Sequence, residues 1–165
     1  MLERKYLAHY IDAALDKTGA ATNYIRLGEG IEEFSVEMNP EIKTTADIIG
    51  NSNAVLKGYD VSASVDPYYY TNDDGLSERL RDIVEQELTG DKCVTTVVDV
   101  WLKPGEDGAA PTVTSATRRE VIIAVQSYGG DTGGVQIPFS INGSKNKVLG
   151  DFDIETKKFT PSSTL

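Results

Sequence analysis

The stretch from Glu120 to Ile154, EVIIAVQSYGGDTGGVQIPFSINGSKNKVLGDFDI, alternates apolar and polar side chains along most of its length. Val121, Ile123 and Val125 share one parity. Val135, Ile137, Phe139 and Ile141 share one face of a second strand, with Gln136, Pro138, Ser140 and Asn142 opposite. A side-chain period of two belongs to strands with one buried and one polar face. The expected order is strand, glycine-rich turn, strand, short polar turn, strand. Nothing in the stretch is equipped for chemistry, which points to a β-rich assembly unit and away from a catalytic pocket.

Other segments extend the pattern. An extended arm or edge strand is expected through about Ile11, with Tyr6, Ala8 and Tyr10 opposite Leu7, His9 and Ile11. A polar loop, Lys17 to Asn23, leads to a short strand at Tyr24 to Leu27. Beyond Gly28-Glu29-Gly30, Ile31 to Met38 reads as a strand with Phe34, Val36 and Met38 on one face. Asn39-Pro40 breaks it. Glu41 to Lys57 then reads as a hairpin or long loop reaching away from the core, with a turn at Asn51 to Asn53. From Gly58 to Asp66 the alternation puts Tyr59, Val61, Ala63 and Val65 inward, with Asp60, Ser62, Ser64 and Asp66 outward, and Pro67 stops it.

One helix is expected at about Leu76 to Leu88, where Leu76, Leu80, Ile83, Val84 and Leu88 form a single stripe. Asp73 and Asp74 stand where carboxylates cap free amides, and Gly90 where a helix stops. Val94 to Leu102 is a long strand with Thr96, Val98, Val100 and Leu102 on one side. Pro104 to Thr112 is a loop, and Lys157 to Thr160 a last short strand. The fold expected is mainly β: an antiparallel sandwich or partly closed barrel with one flanking helix. Residues 1–165 form a single domain in this reading, with 1–23 as an N-terminal arm and 161–165 as a polar tail.

Composition narrows the function. Twenty-six acidic against 16 basic side chains leave a formal charge of -10, which disfavours phosphate-neutralising DNA binding. A single cysteine, Cys93, excludes an internal disulfide and a cysteine zinc site. No apolar run is long enough to span a bilayer, and charges interrupt the N-terminus as they would not in a signal peptide. A soluble, reducing compartment is expected.

The candidate chemical groups are sparse. His9 has no cysteine or serine context and reads as structural. Cys93 reads as a buried thiol. Gly129 to Gly134 lacks the lysine and following helix of a phosphate loop, so its glycines serve a turn. Asp151, Asp153 and Glu155 alternate without the glycine and terminal glutamate of a calcium loop. Asn142-Gly143-Ser144 reads as a turn. Tyr68-Tyr69-Tyr70, beside carboxylates, reads as part core and part subunit contact. No enzyme activity, cofactor or metal is expected.

Five segments taken in order carry a resemblance: NYIRLGEGIEEFSVEMNPE, KGYDVSASVDPYYY, the amphipathic helix, TTVVDVWL, and SYGGDTGGVQIPFSINGSKNKVLGDFD. Together, from about Tyr6 to Phe159, the chain resembles a bacteriophage major tail tube protein. That fold is shared with contractile-injection and type VI secretion tubes. The resemblance implies a β-sandwich subunit that forms hexameric rings stacked into a conduit for DNA ejection. Partners would be other copies of the chain, tape-measure, tail-terminator and baseplate or initiator proteins, and a sheath if the tail contracts. DNA would pass without specific binding, no membrane would be involved, and the location would be the virion tail, after synthesis in the host cytoplasm.

The resemblance also implies site residues. Asp47, Ile48, Ile49, Asn51, Asn53, Val55 and Leu56 of the excursion, with Tyr6 and Tyr10 of the arm, would make contacts between subunits or rings. Asp60, Ser62, Ser64, Gln136, Ser140 and Asn142 are candidates to face the lumen. Acidity would either repel DNA from the wall or keep the free subunit soluble. Some family members add an immunoglobulin-like C-terminal domain, for which this chain ends too soon. Alternatives are a ring or terminator protein that does not polymerise, the tube of a bacteriocin-like or secretion device, and an enzyme or ligand-binding β-barrel.

Overall fold

Alternation along eight segments produces one curled antiparallel sheet that carries the single helix, a mainly β half-barrel. The computed structural model describes residues 1–16, 23–72 and 75–162, without the side chains of 144 and 145. The expected loop at Lys17 to Asn23 lies outside this set except for Asn23. So do the caps Asp73 and Asp74 and the tail from 163 onward.

Strands β1 (Leu7–Asp12), β2 (Tyr24–Leu27) and β3 (Val36–Glu37) precede a hairpin of β4 (Pro40–Ala46) and β5 (Ser52–Tyr59). Then come β6 (Ser62–Val65), helix α1 (Gly75–Gln86), β7 (Val94–Lys103) and β8 (Thr112–Val125). The short pair β9 (Gly129–Asp131) and β10 (Gly134–Gln136) leads to β11 (Phe139–Asp153) and β12 (Lys158–Pro161). The main sheet runs β2-β1-β7-β8-β11-β6-β3, and β12 pairs with the far end of β11.

Each sheet face holds its own core. On the helix-bearing face, Ile11, Val97, Val121, Ile123, Phe139, Ile141 and Val65 pack with Leu76 and Leu80. On the opposite face, Ala8, Tyr10, Tyr24, Val98, Val100 and Phe152 form a second cluster. This explains the nearly unbroken apolar run of β7, which is covered on both sides. Burying Phe139 completely, edge-on to Tyr68 with centroids 5.3 Å apart, removes its whole ring from water. Such burial contributes roughly 2–3 kcal/mol.

Several local expectations are corrected. β1 is no edge strand: it pairs with β2 on one side and β7 on the other. Both of its parities are buried, so Tyr10 packs within the chain against Phe152, centroids 4.5 Å apart, and offers no surface to a neighbour. The strand expected at Ile31 to Met38 shrinks to β3, and Met38 is exposed. Arg4 donates to the Phe34 carbonyl, taking an acceptor that a ladder would have used. Tyr59 is exposed because it still belongs to the hairpin, outside the sheet.

Asn142 to Ser144 is not a turn. β11 continues through it, because Phe139 to Gly143 and Lys147 to Gly150 both pair with β8, and the two surplus residues bulge out between them. Val135 is exposed on β10 and does not share the face of Ile137, Phe139 and Ile141. Pro138, which lacks an N–H, separates the two strands. The helix ends at Gln86 rather than Leu88: Glu87 takes φ 49° and Leu88 N–H returns to the Ile83 carbonyl. That closes the last turn without Gly90. At Gly130, by contrast, glycine is required, since a Cβ there would overlap the Gly134 carbonyl.

Candidate functional site

The β4–β5 hairpin is a two-stranded sheet of its own, outside the main one. Every residue of both strands is exposed except Gly58, which is half-exposed. Two strands alone are marginally stable in water. Its register sets Ile42 opposite Leu56, Thr44 opposite Ala54 and Ala46 opposite Ser52. Because side chains alternate, these six line one face, apolar at the base and small and uncharged beyond. Lys43, Val55, Thr45 and Asn53 line the other.

The tip turns at Asp47 to Asn51, not at Asn51 to Asn53. The Asp47 carboxylate accepts the N–H groups of Ile49 at 3.0 Å and Asn51 at 2.9 Å, and Gly50 takes φ 89°. An aspartate that binds its own following backbone, plus a glycine in the left-handed region, outcompetes the NSN run. Asn53 therefore lies in β5 opposite Thr45. Ile48 and Ile49 are left 105% and 78% exposed at the extremity. Tyr6, the other expected contact residue, is half-buried against the second core beside Lys5.

The structure brings four of the six candidate lumen residues together. Ser64 pairs with Ser140, which pairs with Ala124; Ser62 pairs with Asn142, which pairs with Ile122. These two rows form a patch of the sheet face opposite the helix that carries no cation, and Glu37, paired with Ser62, is the charged side chain at its edge. Ser140 Oγ accepts from Gln126 at 3.0 Å and Asn142 at 3.3 Å, and Asn39 donates to Ser62 Oγ at 3.0 Å. The other two lie elsewhere. Asp60 sits at the β5–β6 corner, its N–H bonded to the Met38 carbonyl at 3.1 Å, and Gln136 is on β10 bridged to Tyr69.

A third surface is a groove of about 500 Å³ on the helix-bearing face, floored by His9, Phe34 and Asp99 and rimmed by Met38 and Trp101. His9 Nδ1 lies 2.6 Å from Asp99 Oδ1, and its buried Nε2 has no partner among the described residues. A carboxylate only accepts, so Nδ1 is the donor in this contact. No hydroxyl or thiol lies within hydrogen-bond reach of Nε2 among the described residues, so no nucleophile is paired with this base. Cys93 is buried, donates to the Leu88 carbonyl at 3.3 Å, and burial pushes its thiol up, which makes it a poor nucleophile. Asp153 spends its carboxylate on the N–H groups of Glu155 and Thr156, which hold it below the usual range. No group of three or more metal-ligating side chains occurs among the described residues.

Sequence reasoning missed the groove and the outward apolar residues Trp101 and Ile122. Both sit at the wrong parity within apolar strands, Trp101 against Val100 and Leu102, Ile122 against Val121 and Ile123. That mismatch was the available signal. No protein-family model matches the sequence, and no curated protein does either.

Proposed function

We propose that this chain is a structural subunit that assembles with copies of itself into stacked hexameric rings, forming the tail tube of a phage or phage-derived particle. The observation that carries the reading is the wholly exposed hairpin with Ile42, Ile48, Ile49, Val55 and Leu56 uncovered. Exposed apolar surface of this kind marks an interaction site. Burying two such isoleucines contributes about 3–6 kcal/mol. The neutral patch of Ser62, Ser64, Ser140 and Asn142 suits a lumen wall, because it offers DNA phosphates no ammonium or guanidinium to pair with. In this reading the conduit is slippery because its wall carries no cation, with the Glu37 carboxylate at the edge of the patch. Tape-measure, terminator and initiator proteins would be its partners in the virion.

Negative-stain microscopy of the concentrated protein, alone and with initiator proteins, tests the proposal. Rings or tubes are expected. Replacing Ile48 and Ile49 together with Asp should abolish them while circular dichroism stays unchanged. A monomer at every concentration under both conditions would overturn it.

A further inference from the structure

The hairpin tip has to meet something, and the same chain carries a surface that matches it. Between Lys43 and Lys57 the only charged residue is Asp47, so the tip presents two isoleucines and one carboxylate. The groove beside His9 presents Phe34, Met38 and Trp101, with Arg4, Arg119 and Lys147 outnumbering the single carboxylate of Asp99. Another apolar groove lies between α1 and β8, and among the described residues its one charged lining residue is Glu87, which would repel Asp47.

The tip cannot fold back into its own groove. Met38 on the groove rim lies directly before the hairpin, and the seven residues of β4 carry the tip away by about 23 Å at ~3.3 Å per residue. We infer that the tip of one copy, Asp47 to Ile49, docks in the His9–Trp101 groove of the next. The inference rests on the self-assembly reading and names the receptor surface for it. Tip and groove are different patches, so the contact is head-to-tail and repeats from copy to copy. Such a contact closes into a ring or runs on as a filament.

Paired cysteines decide it. A disulfide needs Cα atoms within about 7 Å, so Met38→Cys and Ile48→Cys in one chain can bridge only between copies. Cys93 is buried and does not compete. Mild oxidation of the M38C/I48C protein should give a ladder of covalent oligomers on a non-reducing gel, and Y128C/I48C, which probes the groove beside α1, should give none. In the unmodified protein the sole tryptophan, Trp101, 49% exposed in the monomer, should shift its emission to the blue on assembly. Rings or tubes without the M38C/I48C ladder and without the Trp101 shift overturn the docking site and leave the tube reading standing. A ladder through Y128C likewise overturns it in favour of the other groove. A ladder from M38C/I48C with no rings or tubes upholds the contact and overturns the tube. Neither ladder nor particles overturns both.

Discussion

His9 on β1 donates through Nδ1 to Asp99 on β7 across 2.6 Å, and the same imidazole meets Phe34 edge-on with centroids 4.6 Å apart. The pair joins two neighbouring strands and anchors the segment between β2 and β3 over them. Asp99→Ala strands a buried ring N–H. It should cost about 1–3 kcal/mol, read from the midpoint of urea unfolding. Asp99→Asn keeps an acceptor and should lose less than half as much.

Asp12 gives a pH dependence. Its carboxyl is fully buried, Oδ1 accepts from Ala14 at 3.0 Å and Asn23 at 2.9 Å, and burial pushes its pKa above the usual carboxylate range. The folded state therefore holds this proton more tightly than the unfolded chain, whose value is near 4. Its contribution is most favourable below that value and declines as pH rises through the raised one. Asp12→Asn removes the titration. Chemical denaturation across this window should show the variant gaining on the wild type as pH rises, whatever constant offset the amide introduces.

Phe139→Ala should destabilise the fold by about 3–5 kcal/mol, the usual cost of emptying a buried aromatic site. Calorimetry or urea titration checks it. Phe139 joins β11 to Tyr68 and lies among the residues packed with α1, so near-ultraviolet tyrosine dichroism should weaken as well.

The neutral patch makes a prediction about particles. Ser64→Lys with Ser140→Lys sets two ammonium groups side by side on an exposed part of the sheet. The subunit should still fold and assemble. If the patch lines the lumen, DNA release from assembled particles slows, and more so at low salt, because phosphate contacts weaken as salt rises. Release kinetics unchanged at every salt concentration would place the patch outside the conduit.

How much of this was legible follows from which physical signals act locally. Period-two alternation located β6, β7, β8 and β11, and the stripe Leu76, Leu80, Ile83 located the helix, because each reports one buried face. Where both faces are buried, parity is silent, so β1 read as an edge when it lies inside the sheet. Where two local turn signals compete, only geometry decides: Asp47 with Gly50 prevailed over Asn51 to Asn53. Asn142 to Ser144 looked like a reversal because a bulge and a turn share composition. The hairpin was legible as an excursion, since its apolar residues had no core-like period. The groove was not legible, because β1, β3, β7, β8 and β11 meet there from distant points in the chain.

One further consequence belongs to β8 and β11, which run 14 and 15 residues and pair at nine positions on either side of the bulge. β7 adds ten more pairings on the far side of β8. A pull directed along these strands loads the whole ladder at once, whereas a pull across them opens it one bond at a time. The subunit is thus mechanically anisotropic, strong in tension along one axis and prone to peeling along another. Any wall built from it would inherit its grain from the orientation in which this beam is laid.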